Sequence, residues 1–194
     1  MLFKNHLPTM LVQSFATDNN EAVNNKHLVL TLSRIMTEIV IANSQEHGNL
    51  LCIEKQKKYS FYYENPPLLS IRNYCERVLK YTHCEESSLI ISLLYTDRIC
   101  EKNNFILTPN NIHKFIFIAV IMSIKYNEDE CYTDSYYAKV GGVSLEEFCL
   151  LQYEFLKLIQ YRLFISEGEY DKYKRYINGY SDNKTSSRKT VMLI

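Results

Sequence analysis

A chain of 194 residues is long enough for one domain with a sizeable core, and a hydrophobic fraction of 46% sets it apart from disordered sequences. Lys plus Arg and Asp plus Glu each total 22, so no net basic field draws the phosphates of a nucleic acid, and none is expected as a partner. Five glycines and four prolines leave few places where regular structure must stop.

Residues 1–20 read as irregular and end on the turn-like Asp18-Asn19-Asn20. A helix is expected from Glu21 to near Gly48, with Val23, Leu28, Leu30, Leu32, Ile35, Ile39 and Ile41 broadly on one side. Residues 49–65 are mixed and lead to Pro66-Pro67, which disfavours helix just before it, so this stretch reads as an approach to the main domain. Ser70 can cap a helix carrying Ile71, Tyr74, Cys75, Val78 and Leu79. After a break at Thr82–Glu85, a second helix is predicted over Glu86–Lys102, stopped by Asn103-Asn104. Thr108 as cap and Pro109 as first residue open a third, apolar on most of its circumference, which places it at the centre of a domain. The polar loop Asn127–Glu130 ends it. A short helix over Ser135–Val140 stops at Gly141-Gly142, and Ser144 with Glu147 forms a capping box for a helix carrying Leu145, Phe148, Leu151, Phe155, Leu158 and Ile159. A polar helix over Glu167–Ile177 and a tail follow.

Strand signals are weak throughout, so the expected class is all-α. Five helices surround the buried third one, with an extra helix before them and a short one after. The expected segments are an irregular 1–20, a helix and linker over 21–65, a main domain over 66–165, a C-terminal helix over 166–180 and a tail over 181–194.

Cys52, Cys75, Cys84, Cys100, Cys131 and Cys149 show no ligand spacing, so reduced and mostly buried thiols are expected, with no metal. Pro8 and the lack of a small-residue cleavage site argue against a signal peptide. No apolar run approaches the roughly 20 residues that cross a bilayer, so a soluble chain of cytoplasm or nucleus, without membrane contact, is expected. A Gly-rich phosphate loop and a nucleophile–base set are both missing, so neither an enzyme nor a cofactor is expected.

Three local motifs narrow the class. Leu94-Tyr95-Thr96-Asp97-Arg98-Ile99 resembles the Tyr-Ile-Asp-Arg-Phe signature of the cyclin box. Met122-Ser123-Ile124-Lys125-Tyr126 is similar to the end of that box's central helix. Tyr136-Tyr137-Ala138-Lys139-Val140-Gly141-Gly142-Val143 resembles the Tyr-Tyr-Ala-Lys-Val-Gly-Gly-Ile motif of P-type cyclins, also called Pho- or U-type, and the Pro66-Pro67 entry belongs to that branch too. The resemblance covers about residues 60–165 and implies a five-helix box that docks on a cyclin-dependent kinase of the Pho-pathway or neuronal type. Such a box presses the kinase's C-helix inward so that its Lys–Glu pair and Mg²⁺-binding Asp align, and supplies no chemistry itself. A box that binds without activating, as an adaptor or scaffold, is the alternative. Phosphate signalling and cell-cycle control are both roles of the branch.

By the same resemblance Lys125 matches the lysine that bonds the kinase backbone before its C-helix. Gln152 falls where the family has a second kinase-binding residue, a glutamate, and predicts a weakened but usable contact. Glu128 and Asp129, on the loop beside Lys125, are expected to rim the kinase surface, with Asp129 facing a kinase arginine. Asp97 matches an acid that pairs with an arginine opening the first box helix. Leu68 stands at that arginine's position, which leaves Arg72 or Arg77 to substitute in an ordinary structural ion pair. Tyr137, Gly141 and Gly142 are expected to be structural, and Lys139 to face solvent.

Overall fold

The structure is a computed structural model that describes residues 15–46 and 50–182, with side chains described over 28–45 and 54–179. Among the described residues it holds eight helices and no strand: α1 (Phe15–Glu46), α2 (Leu50–Lys57), α3 (Ile71–Thr82), α4 (Glu86–Asn103), α5 (Ile112–Asn127), α6 (Asp134–Gly141), α7 (Leu145–Leu158) and α8 (Glu167–Asp182). The central position of the apolar third box helix holds: every residue of α5 from Ile112 to Ile124 is buried, and α3, α4, α6 and α7 all pack on it.

A helix buried on all sides has to satisfy its polar residues inside the protein. Lys114 pairs with Glu147 at 2.8 Å, donates to the carbonyls of Ser60 (3.2 Å) and Tyr62 (3.4 Å), and lies 3.8 Å from the Tyr63 ring centre. His113 Nε2 sits 2.7 Å from the Leu69 carbonyl, and burial lowers the tendency of its ring to protonate. Those contacts bind the segment after α2 to the core. Tyr63 and Asn110 exchange backbone and side-chain bonds (2.7 and 2.8 Å), and Phe61 packs fully buried against Phe105 and Phe115. Residues 50–65, read as the approach to the main domain, are a short helix and an anchored loop.

Two helix starts also differ from expectation. α1 begins at Phe15 and runs through Asp18-Asn19-Asn20. No Gly or Pro interrupts it before Glu46, so the weak helix preference of Asp and Asn is not enough to stop it. From Leu28 to Val40 it buries Leu28, Val29, Leu32, Ile35, Met36 and Val40, and it packs on α3 and α4. α5 begins at Ile112, three residues after Pro109. Asn111 explains the delay: its Oδ1 accepts from the Thr108 N–H (2.8 Å) and its Nδ2 donates to the Ile106 carbonyl (2.8 Å), holding 108–111 as a turn. Thr108 Oγ1 lies buried without a partner among the described residues, so it caps nothing.

The other starts are local chemistry. Ser70, Thr133 and Ser144 accept from the N–H groups of Asn73, Tyr136 and Glu147. The Ser144–Glu147 box is only half formed, because the Glu147 carboxylate is committed to Lys114. α8 extends to Asp182, with Ile177 buried, and is tied back by Arg98. That guanidinium donates to the carbonyls of Arg162 (3.0 Å) and Phe164 (2.9 Å) and pairs with Glu169 at 2.8 Å. Bonds from the Ser166 N–H and hydroxyl, then from Arg98, hold the Glu169 carboxyl down at about 2. Residues 183–194, the expected tail, lie outside the described residues, as do 1–14.

Candidate functional site

Three helices converge on one polar cluster. Lys125 stands in the last turn of α5, Asp134 opens α6, and Gln152 lies midway along α7. The Lys125 ammonium donates to Asp134 Oδ1 and, at 2.5 Å, to Gln152 Oε1; Gln152 Nε2 lies 3.4 Å from Asp134 Oδ2. Beneath them the fully buried Phe148 ring has its centre 5.5 Å from the ammonium. The cluster is a cation, an anion and an amide in mutual contact, closed on its inner side by an aromatic ring. An ammonium has three donors, and among the described residues two of them meet an oxygen here, which leaves a third for a partner.

The surroundings are apolar and exposed. On α7, Leu145, Cys149 and Tyr153 recur every four residues and so share a face, Leu150 is also exposed, and Tyr132 precedes α6. Glu154 belongs to another side of α7, where it accepts from the Ser60 N–H at 2.7 Å.

Lys125 and Gln152 are thus brought together, whereas the loop acids part ways. Glu128 turns to the start of α4, which lacks a capping side chain of its own, and accepts from the Glu85 N–H (3.0 Å) and the Ser88 hydroxyl (2.5 Å). Burial raises its pKa, and those two bonds oppose the rise. Its carboxylate is engaged within the bundle. Asp129 is exposed.

Among the described residues Asp97 is paired with no arginine. Arg72 is taken by Glu76 (2.9 Å), Arg77 donates to the Lys139 carbonyl (3.1 Å), and Leu68 is fully exposed. The expected ion pair does not form, and burial, then the nearby Glu101, push the Asp97 carboxyl up to about 7. Tyr137 is fully buried and its hydroxyl accepts from the Tyr132 N–H at 3.1 Å. Gly142 takes the left-handed helix stop at φ 73°, and Lys139 is exposed. Gly141 is needed for a different reason, a close approach to Phe117. Cys75 and Cys84 are buried and Cys100 half-buried, their thiols all pushed up to about 12 mainly by burial, but Cys131 and Cys149 are exposed, against the expectation of mostly buried thiols.

Sequence reasoning missed Asp134. An acid just after a capping Thr is the ordinary signature of a helix start, where the dipole favours it, so nothing local marked it as part of a site. Only the meeting of α5, α6 and α7 reveals it. Among the described residues no cluster of His, Cys, Asp and Glu is placed to hold a metal ion, and no helix is long and apolar enough to cross a membrane.

The sequence has counterparts among known proteins. A family model described as cyclin matches residues 6–163. Cyclin-U4-3 of Arabidopsis thaliana is 34% identical, over 77% of this chain and 71% of its own length. Cyclin-U4-2 of the same plant is 36% identical over 62% of this chain and 56% of its own. PHO85 cyclin-7 of Saccharomyces cerevisiae is 30% identical over 75% of this chain, which spans 58% of that protein.

Proposed function

The chain belongs to the cyclin family, among the U-, P- and PHO85-type members, and from that premise we propose that it binds a cyclin-dependent kinase and activates it by holding the C-helix in its active position. The observation that carries this reading is Lys125. It stands in the last turn of the buried central helix, sits at the surface against Asp134 and Gln152, and lies beside the α7 face that carries exposed Leu145, Cys149 and Tyr153. Specific protein interfaces are apolar at their core, with aromatic side chains enriched, and polar at their rim, so exposed Leu145 and Tyr153 supply apolar contact beside a charged group that belongs to the polar part. Activation follows if the face fits the active kinase better than the inactive one, because only a difference in affinity shifts a population. The reading places the partner in cytoplasm or nucleus.

One relative's name couples it to PHO85, which makes that kinase a suitable first probe. Mixing the purified chain with it is expected to give a complex and a rise in phosphorylation of a generic peptide. Binding without that rise establishes the adaptor reading, which the neutral Gln152 favours, and failure to recover any kinase by affinity purification from the native source overturns both. Lys125→Ala should weaken the complex about tenfold, the size expected for one hydrogen bond to a charged group. Its circular dichroism melt should stay close to the parent's.

Asp129 provides a second prediction. As an exposed acid on the loop next to Lys125, it is proposed to face a cation on the kinase. Asp129→Lys is expected to slow association several-fold at low salt and to have little effect at high salt. An unchanged association rate in stopped-flow mixing removes Asp129 from the interface.

A further inference from the structure

Lys125 carries a full positive charge into a site whose acceptors are one carboxylate and one amide. The two charged residues are unequally exposed: 42% of the Asp134 side chain meets solvent against 23% for Lys125, so the acid is the outer member of the pair. The amide is oriented by both of them. Its oxygen faces the ammonium at 2.5 Å and its nitrogen faces the carboxylate at 3.4 Å, the only arrangement that gives each charge a complementary pole. Position 152 is neutral where the resemblance implies an acid, yet the site still holds a carboxylate, supplied from another helix.

We propose that Asp134 is the acidic half of the kinase-docking site and that Gln152 is a positioning residue that sets lysine and acid in register; this rests on the kinase-binding reading above. The chemistry defines what the partner offers. The free donor of the ammonium takes a carbonyl oxygen, and the outward side of the carboxylate takes a backbone N–H or a guanidinium. A stretch of partner backbone with one carbonyl and one N–H left unpaired satisfies both. Because the acid sits on the first residue of α6, with Thr133 capping that helix, its place on the surface is set by the α6 start and not by a long side chain on α7.

A charge transposition tests this. Asp134→Asn removes the acid, while Gln152→Glu returns one to a spot where an oxygen already touches the ammonium. With PHO85 as the probe, Asp134→Asn is expected to weaken binding at least about tenfold. The double variant Asp134→Asn/Gln152→Glu should return to within about threefold of the parent, the non-additivity expected of groups in one network. An Asp134→Asn complex as tight as the parent's overturns the proposal, and so does a double variant no tighter than the single one. If the parent itself binds no kinase, the docking role falls with the function, and the charge transposition is decided by a second readout. Acylation of Lys125 by N-hydroxysuccinimidyl acetate, followed by mass spectrometry, should be slow in the parent, several-fold faster in Asp134→Asn and slow again in the double variant. Equal rates in all three overturn it.

Discussion

Gly141→Ala lowers the stability of the fold by about 3 kcal/mol, at the upper end of what overpacking a core usually costs. A methyl group built there meets the Phe117 ring at 2.3 Å from Cε1, 2.6 Å from Cζ and 2.9 Å from Cδ1. The ring cannot retreat. Phe117 is fully buried on the central helix, with Tyr74 at 6.5 Å and Phe148 at 5.8 Å between ring centres. Nor can the glycine easily shift, since its carbonyl accepts the buried Tyr74 hydroxyl at 3.1 Å. Either movement also disturbs Phe148, the ring under Lys125, so a smaller loss of kinase binding should accompany the loss of stability. Gly142 is a control with a different cause. A methyl there finds Arg77 no closer than 3.6 Å, so Gly142→Ala costs only the strain of its positive φ, about 1 kcal/mol. Urea unfolding of both variants separates the two mechanisms. Adding Phe117→Leu should recover part of the Gly141→Ala loss and none of the Gly142→Ala loss. A Gly141→Ala loss below about 1 kcal/mol means that the two helices are not in contact as described.

The legible parts of this fold were those whose chemistry is local. Ser70, Ser144 and Gly142 act on neighbours three or four residues away, so the ends of α3, α6 and α7 could be read from spacing alone. The buried centre was legible too, because a run such as Phe115-Ile116-Phe117-Ile118 has no side to offer water. What failed was decided across the chain. α2 and the loop after it read as a mixed segment, and the contacts that hold them come from far along the chain: buried Lys114 reaches the Ser60 and Tyr62 carbonyls, and Phe61 packs on Phe105 and Phe115. Glu128 looked like part of an exposed acidic loop, but α4 starts without a capping side chain and takes that carboxylate from 40 residues away. At the candidate site, the resemblance pointed to Lys125 and Gln152, which the fold brings into contact, whereas Asp134 joins them only through the packing of α6.

Asp97→Asn is expected to raise stability at pH 8 by about 2 kcal/mol and to change it little at pH 4. The carboxyl is pushed up to about 7 in the folded chain against an ordinary 3.8, because α4 holds it partly buried beside Glu101. Arg98, the next residue, is spent on Glu169 and the carbonyls of Arg162 and Phe164. On α8 the Tyr176 phenol is near enough that Asp97 helps to push it up. Below about pH 4 both folded and unfolded chains keep the proton, and the acid costs nothing. As pH rises from about 4 to about 7 the unfolded chain releases the proton while the folded one retains it, so stability falls across that window and levels off above it. The full shift corresponds to about 4 kcal/mol, and the partial contact of the side chain with water reduces it by about half. An amide carries no such penalty, so thermal melts of the parent and of Asp97→Asn should converge at pH 4 and separate steadily to pH 8. Glu101→Gln should narrow the gap by removing the second cause. Parallel melting curves across the whole range would mean that Asp97 has found a cation, as the family pattern had implied.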